Sequence, residues 1–312
     1  MTSILTNVAA MSALQTLRGI NSSMQETQAR VSSGMRVGTA SDNAAYWSIA
    51  TTMRSDNAAL SAVEDALGLG AAKIDVAYAA MENAVDIVAE IKSRIVAATE
   101  QGVDKAKIQE EIMQLRDQLY SVAQGASFSG ENWLLGSGEK TVVSGFVRDQ
   151  AGAVSVTHTN YTLVESTAGS DRANVLFGLD TATGLPDTTL GIIGQAGTAS
   201  GISIYQIDLT EFIDGTATYT IDELLTDVET AFQELNSAAS ELGSIAMRIE
   251  MQESFVSKLT DSIDSGIGRL VDADMSEEST RLKALQTQQQ LGIQALSIAN
   301  TNSENILTLF RQ

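Results

Sequence analysis

Apolar side chains recur with a heptad spacing over the last third of the chain. Alternating steps of four and three residues, from 221 to 270, meet apolar side chains at 13 of 15 positions. The positions are Ile221, Leu225, Val228, Phe232, Leu235, Ala239, Leu242, Ala246, Ile249, Glu253, Val256, Thr260, Ile263, Ile267 and Leu270. This spacing predicts one long helix with a single apolar seam. Fifty residues of straight helix extend about 75 Å, so the pattern indicates a rod.

Two shorter stretches in the first half share this register. One follows Ile74, Tyr78, Met81, Val85, Val88, Lys92, Ile95 and Thr99, and the other follows Ile108, Ile112, Leu115, Leu119 and Val122. Between them, Gly102 is typical of a helix C-cap and Asp104 of an N-cap. The sequence therefore predicts a tight helical hairpin. An ordinary soluble helical bundle would use the same stripes, but the length of the last helix favours a larger assembly.

Residues 141–219 have a different texture, rich in glycine and threonine and holding the single proline, Pro186. Four short runs of β-branched and aromatic residues are separated by glycine and aspartate turns. They lie at 141–147, 154–157, 161–164 and 202–205. We expect a small β-rich insert between two helical halves that pair to bury their stripes.

The two chain ends carry weaker stripes. Ile4, Val8 and Met11 form one, and Leu14, Leu17, Met24 and Val31 form another, with a slip in the spacing around Met11. Near the carboxyl end, Leu282, Leu285, Leu296, Ile306 and Phe310 keep a seam that Gln289 and Gly292 interrupt. Helices so poor in apolar side chains are marginal in water. We expect both arms to be loose in the monomer and to order only against copies of themselves.

Composition excludes several function classes. The 312 residues hold 39 acidic and 19 basic side chains, a net charge of −20, which disfavours nucleic acid and anionic membrane. Cysteine is absent, which excludes disulfides, thiolate metal sites and cysteine nucleophiles. His158 is the only histidine, which excludes an HExxH zinc site and leaves a Ser-His-Asp triad dependent on that one residue, so the composition disfavours most hydrolase and metalloenzyme chemistry. The sequence contains no run of 18 apolar residues, which is about the length needed to span a membrane. No cofactor and no metal is expected.

Charge and texture together divide the chain into three parts. Residues 1–40 and 279–312 each carry a net charge of +2, whereas 41–278 carries −24. We predict a mainly α protein whose two chain ends build a long antiparallel coiled-coil rod, with a small β-rich central domain. Its parts would be terminal arms at 1–40 and 279–312, a helical rod domain at 41–140 and 220–278, and a variable outer domain at 141–219.

Short motifs mark the segments that bound the arms. Residues 29–37 read ARVSSGMRV, residues 40–45 read ASDNAA and residues 46–50 read YWSIA. The first two resemble the (E/Q)RLSSG(L/K)R and A-x-D-(D/N)-A-A segments of bacterial flagellins, and the third resembles the alphaproteobacterial type. Residues 269–274 read RLVDAD, which resembles the RI-x-DAD signature. The tail reads QQQLG at 288–292 and NILTLFR at 305–311, similar to the flagellin ending. The resemblance covers roughly 1–140 and 220–312.

This resemblance implies a structural subunit of the flagellar filament, which polymerises for swimming motility and is not an enzyme. It implies an extracellular location, reached through the flagellar type III export apparatus without a cleaved signal peptide. The implied partners are further copies of the chain, sibling flagellins, an export chaperone at the carboxyl-terminal arm, the filament cap and the hook-filament junction protein. No nucleic acid or membrane partner is implied.

We assign candidate self-assembly residues to the arms and to the turn that follows the first arm. They are Ile4, Val8, Met11, Leu14, Leu17, Arg30, Arg36, Asp42, Asn43, Leu285, Leu291, Leu296, Ile306, Leu309 and Phe310. For Asp42 and Asn43, a plain helix N-cap is an equally good interpretation. The alternatives for the whole chain are a hook-filament junction protein of the same family, or a flagellin-like enzyme or adhesin.

Overall fold

The computed structural model describes residues 7–100, 102–149, 152–165, 173–214 and 217–309. Its helices are α1 (Val8–Ser33), α2 (Ala44–Ala98), α3 (Lys105–Gly125), α4 (Gly191–Gly194), α5 (Glu211–Asp214), α6 (Ile221–Val271) and α7 (Met275–Leu309), with a 3₁₀ turn at Ile204–Gln206. Its strands are β1 (Ser127–Phe128), β2 (Glu131–Asn132), β3 (Gly138–Arg148), β4 (Val154–Leu163), β5 (Gly178–Leu179) and β6 (Pro186–Asp187). The predicted class, mainly α with a small β-rich part, is confirmed.

The chain separates into two compact units. Residues 1–58 and 260–312 form one, which we call the terminal unit, and residues 59–259 form the other, the central unit. The long helices α2 and α6 each contribute to both units. The three-part division inferred from composition stays a prediction.

In the central unit, α2 and α6 run antiparallel. Lys92 Nζ on α2 donates to Glu229 Oε2 on α6 at 2.5 Å, and Gly243 on α6 lies against the ring of Tyr78. Residue numbers therefore fall along α6 as they rise along α2. The pairing buries a heptad seam on each helix, as the sequence predicted, with Met81 and Leu235 fully excluded from solvent.

The exact seam differs from the predicted one at every second position. Ile74, Met81, Val88 and Ile95 are buried as predicted, but Tyr78 and Thr99 are exposed. The buried residues between the shared positions include Ala77, Ala84, Ile91 and Ala98 on α2, and Ala231 and Ala238 on α6. Five of these six are alanines, which take little volume, and larger neighbours such as Phe232 lie half-buried beside them.

The helical hairpin between α2 and α3 is confirmed. Asp104 caps α3 by accepting a hydrogen bond from the Ala106 amide, 3.2 Å away, and Gly102 adopts a φ of +95°. Arg94 Nε on α2 lies 3.1 Å from Glu111 Oε2 on α3, so α3 returns alongside α2. Ile108, Ile112 and Leu119 are buried.

Strands β3 and β4 form one antiparallel hairpin, from the pair Gly138 and Leu163 to the pair Arg148 and Val154. The hairpin contains the predicted strands at 141–147, 154–157 and 161–164, of which the last two are parts of one strand. Tyr161 stacks on Trp133 with ring centroids 6.1 Å apart. Burial of this phenol and the negative charge of Glu241 raise the Tyr161 pKa well above its ordinary value.

The predicted strand at 202–205 is wrong, because the chain forms the 3₁₀ turn there. Ser203 and Ile204 are both buried, which a strand with one buried face does not allow. Tyr205 packs edge-on against Phe177, with centroids 5.8 Å apart, and beneath the Arg116 guanidinium. Aromatic packing against α3 decides the local structure.

In the terminal unit, α1 and α7 pair antiparallel. Asn7 Nδ2 donates to the Ala299 carbonyl at 2.9 Å, and Gln289 Nε2 donates to Asn21 Oδ1 at 2.7 Å. The α1 side of the interface follows an unbroken heptad of Ala10, Ala13, Leu17, Ile20, Met24, Thr27 and Val31. The expected slip around Met11 is therefore wrong, since two alanines carry the seam through this turn.

Gln289 and Gly292 lie on the α7 side of the same seam. Gln289 meets its polar partner Asn21 there, and a methyl group at Gly292 would lie 3.1 Å from Leu17 Cδ1. Both positions are therefore in register, and they weaken the apolar character of the seam without breaking its geometry.

We predict that Gly70→Ala destabilises the protein, whereas Gly68→Ala on the same helix stabilises it. A methyl group at Gly70 would overlap Val142 of β3, a stiff side chain that cannot yield easily, whereas nothing lies within 4 Å of the same group at Gly68. Overpacking of this kind costs about 1–3 kcal/mol, and an unhindered helical Gly→Ala gains about 0.5–1 kcal/mol.

Urea denaturation of the two variants, followed by circular dichroism, measures both effects. Equal free energies of unfolding for Gly70→Ala and Gly68→Ala would contradict the packing of β3 on α2.

Candidate self-assembly site

The structure divides the predicted apolar residues of the arms into two groups. Val8 and Met11 on α1 are 73% and 65% exposed, and Leu14 and Leu291 are also exposed. With 100° between successive helical residues, Val8 and Met11 lie about opposite the seam that faces α7. They form an outward apolar surface on the terminal pair.

Leu17, Leu285 and Leu296 belong to the second group, which faces inward. Each is half-buried on the seam between α1 and α7. These three residues hold the two arms together within one chain.

The pairing of α1 and α7 buries very little. Among the described side chains of the two helices, Thr27 and Glu278 alone are buried, and neither is apolar. The seam of the central unit instead excludes water from Ile74, Met81 and Leu235. Ordering the backbone costs about 1–2 kcal/mol per residue, and two helices with so little apolar burial offset this poorly.

Arg30 lies within a charged cluster across the arms. Its guanidinium contacts Glu26 on the same helix at 2.6 Å and Glu278 on α7 at 3.4 Å. Arg281 approaches Glu278 from the other side at 3.6 Å. Glu278 is buried, and a buried carboxylate requires such cationic partners to remain charged. Arg30 therefore fixes the register of α1 against α7.

The segment after α1 is held to the end of α6. Gly34 ends α1 in the left-handed region with a φ of +73°, and the Arg36 amide donates to the Val271 carbonyl at 2.6 Å. The Arg36 side chain donates to the Leu270 carbonyl at 3.1 Å. Val37 is buried in a small core there with Ala50 and Val271.

Asp42 and Asn43 organise the turn into α2. The Asp42 carboxylate accepts from the amides of Gly38 and Thr39 at 3.1 and 2.9 Å, and from the Thr39 hydroxyl. These hydrogen bonds, that of the Thr39 amide first, lower the Asp42 pKa. Asn43 Oδ1 accepts from the Tyr46 amide at 3.1 Å and so caps α2. The geometry matches the N-cap interpretation for Asn43, and Asp42 closes the turn before it.

Four candidates near the chain ends cannot be placed fully. Ile4 and Phe310 lie outside the described residues. Ile306 and Leu309 belong to α7, but their side chains lie outside the described part.

Sequence reasoning missed several outward apolar residues. Ile293 and Ile298 on α7 are each more than half exposed. Ile298 lies two helical turns beyond Leu291 on the same side of α7, whereas Ile293 lies on a different side. Tyr46, Trp47 and Ile49 are exposed at the start of α2. The seven-residue step from Leu291 to Ile298 was a usable signal, whereas the exposure of the α2 residues had none in the sequence.

The described residues contain neither a membrane-spanning helix nor a cluster of metal ligands. None of the helices in this part of the chain has the length and hydropathy required to cross a membrane. The same residues contain no group of three or more His, Asp or Glu side chains arranged to hold a metal ion.

We predict that the turn at 38–42 loses order in acid through Asp42. Because the pKa of Asp42 in the folded chain lies below the ordinary 3.8, the stabilisation is present above that value and is lost as pH falls through the lower folded pKa. Amide exchange by NMR should show Gly38 and Thr39 losing protection over this interval.

Asp42→Asn is the matched control, since it keeps one acceptor oxygen but cannot titrate. In this variant the protection of both amides should not change with pH in that interval. A pH response that persists in Asp42→Asn would assign the effect to another group.

Comparison with known proteins agrees with the architecture of both chain ends. Residues 4–139 match the family model of the bacterial flagellin N-terminal helical region, and residues 225–310 match that of the C-terminal helical region. Flagellin D of Rhizobium meliloti is 53% identical and Flagellin C of the same organism 52% identical, each across the whole of both chains. A flagellin of Brucella melitensis is 43% identical, again over the full length of both. The chain thus belongs to the bacterial flagellin family.

Proposed function

We propose that this chain is a structural subunit of the extracellular flagellar filament and polymerises through its terminal helices. As a flagellin it is a structural protein and not an enzyme. The observation that carries the assembly mechanism is the exposure of Val8, Met11, Leu291 and Ile298 on a helical pair that buries almost no apolar side chain. Large apolar groups that remain in water on both helices favour association.

The mechanism is assembly-coupled folding. In a single chain, α1 and α7 meet along one half-buried seam, which leaves their outward sides in water. In a helical array of copies each outward side contacts neighbours, and the apolar area removed from water then offsets the ordering cost at about 25 cal/mol per Å². We propose that residues 1–40 and 279–312 line the inner tube, with 41–140 and 220–278 around them and 141–219 outermost.

Charge distribution supports this arrangement. Each arm carries a net charge of +2, against −24 for residues 41–278. Closely packed identical arms would bring like charges together, so low charge favours their place at the centre. A contact between two different surfaces of neighbouring copies does not close on itself, and it therefore propagates a fibre.

Further partners belong to the same proposal. Flagellins A, B and D of Rhizobium meliloti are all similar to this chain over its full length, which supports co-assembly with sibling flagellins. The exposed Leu291 and Ile298, on one side of α7, offer an apolar surface for an export chaperone before assembly. Export through the flagellar type III apparatus, growth beneath a filament cap and attachment to a hook-filament junction protein complete the proposal.

The hook-filament junction alternative is not favoured. The relatives that the chain matches across their whole length are flagellins, and both family regions match in order. No described contact argues separately for an enzyme or adhesin.

We predict that replacing the outward apolar residues blocks polymerisation and leaves the monomer stable. The variant is Met11→Gln with Leu291→Gln and Ile298→Gln, three side chains that make little contact within the chain. Seeded filament growth, measured by light scattering and electron microscopy, should fall at least about tenfold, which corresponds to about 1.4 kcal/mol. The free energy of unfolding should change by less than about 0.5 kcal/mol.

The matched control replaces exposed apolar residues of the central unit, Val103→Gln with Leu185→Gln. This variant should grow like the unmodified chain. Normal growth of the triple arm variant would refute the role of the outward surface.

We also predict that the arms gain protection on assembly. Hydrogen exchange followed by mass spectrometry should show α1 and α7 exchanging fast in the dilute monomer and slowly in the filament, since their backbone hydrogen bonds become stable only with neighbours. Segments of α2 and α6 around Met81 and Leu235 should be protected in both states, because their seam is already closed. Equal protection of the arms in monomer and filament would contradict assembly-coupled folding.

A further inference from the structure

A second apolar surface lies on α6, within the central unit. Met247, Met251 and Phe255 are each more than half exposed. Their spacing of four residues places them in one stripe on successive helical turns. The buried residues of the same stretch, Ile249 and Val256, lie on the other side of the helix. We call Met247, Met251 and Phe255 the methionine stripe.

The methionine stripe is suited to protein contact. Methionine side chains are flexible and polarisable, so they adapt to the shape of a partner, and an exposed aromatic ring adds a large apolar area. Surfaces of soluble monomers seldom leave adjoining large apolar side chains in water without an interaction partner. The stripe belongs to the central unit, whereas the arm residues discussed above belong to the terminal unit.

Two basic side chains adjoin the methionine stripe. Arg248 and Lys258 lie three residues before and seven residues after Met251, which places them on the same side of α6. Both are exposed, and neither has an ion-pair partner among the residues that the structure describes. The surrounding residues 41–278 have a net charge of −24. The stripe thus carries two exposed cations, although Glu250, three residues after Met247, and Asp261, three residues after Lys258, are also exposed.

A complementary surface lies on α2 of the same unit. Asp75, Glu82 and Asp86 are exposed on the side of α2 that faces away from its buried seam, and within the described part of the chain none of them forms an ion pair. Ala72 and Ala79 lie on the same side. Alanine between acidic residues leaves room for a large apolar side chain. We call these five residues the acidic face.

The two surfaces cannot meet within one chain. The methionine stripe and the acidic face each lie on the side of their helix that is turned away from the paired seam. Every subunit carries both surfaces. In a polymer the methionine stripe of one copy can lie beside the acidic face of another. Charge complementarity also steers this encounter and fixes its register.

We propose that the methionine stripe of one subunit docks on the acidic face of α2 in a second copy of the chain, with Arg248 and Lys258 pairing with its carboxylates. This proposal rests on the function proposed above and adds a second, outer contact between subunits. Because the two surfaces differ, the contact is head-to-tail and propagates along the polymer.

The absence of cysteine from the chain allows a direct test by cross-linking. Filaments of the double variant Met251→Cys with Ala79→Cys are treated with a short bismaleimide and separated by denaturing gel electrophoresis. We expect a ladder of covalent multimers. The control pair Met113→Cys with Ala79→Cys, in which Met113 is an exposed methionine of α3, should stay monomeric.

Three results of this test would overturn the docking proposal. The first is that formed filaments of the Met251 and Ala79 pair give no ladder. The second is that the control pair gives an equal ladder. The third is a dimer from Met251→Cys alone, which would indicate contact between two α6 helices. Growth of unmodified filaments from seeds is scored separately. Its failure would refute the proposed function, whereas normal growth without a ladder refutes the docking contact alone.

Charge reversal provides a second test. Arg248→Glu with Lys258→Glu should slow seeded growth at least about tenfold at low salt, because carboxylates would then face carboxylates. Adding Asp75→Lys with Asp86→Lys to the same chain should restore growth to within about threefold. Failure of this restoration in a variant with an unchanged circular dichroism spectrum would overturn the proposed pairing.

The unmodified chain supplies a test that needs no substitution. Limited treatment with hydrogen peroxide should oxidise Met247 and Met251 in the monomer and spare both in the filament. Met81, which is fully buried, should be spared in both states. Equal oxidation of Met247 and Met251 in monomer and filament would contradict docking.

Discussion

The antiparallel pairing of helices from opposite chain ends, along heptad seams that carry alanine, is the constraint on which the structure depends. In the central unit Ala77, Ala84 and Ala231 are buried, and in the terminal unit Ala10 and Ala13 lie on the side of α1 that faces α7. Small side chains at alternate seam positions leave little bulk in each seam. Each seam then leaves the larger neighbouring side chains outside, where they are available to other molecules.

The same seam geometry gives two different levels of stability. The central unit adds α3 and the β3–β4 hairpin, whose Val142 packs on α2 and whose Tyr161 stacks on Trp133, and its seam residues Met81 and Leu235 are fully buried. The terminal unit has two helices with Gln289 and Gly292 in the seam. The seam is therefore closed in one unit of the single chain and only half-buried in the other.

Parts of the candidate site could be predicted from the sequence and parts could not. Helix caps are local, so residue type and position predicted the cap at Asp104 and gave an N-cap as one of two interpretations for Asn43. Met11 is exposed and Leu17 is half-buried because one side of α1 faces α7. The residues of a single helical turn do not determine which side that is. The pairing of Arg30 with Glu278 joins residues 248 positions apart, a distance over which residue type alone indicates no partner.

The sequence by itself determined the helical class, the hairpin at 102–104, the β texture of the insert and the weak apolar content of the arms, because these follow from local propensity and composition. Tertiary structure alone decided the rotation of each helix about its axis. Positions three and four residues beyond a seam residue lie about 60° and 40° to either side of it. Hydrophobicity favours the larger side chain of the two, Tyr78, but the rotation of α2 buries Ala77 and leaves the Tyr78 ring partly exposed beside Gly243 of α6.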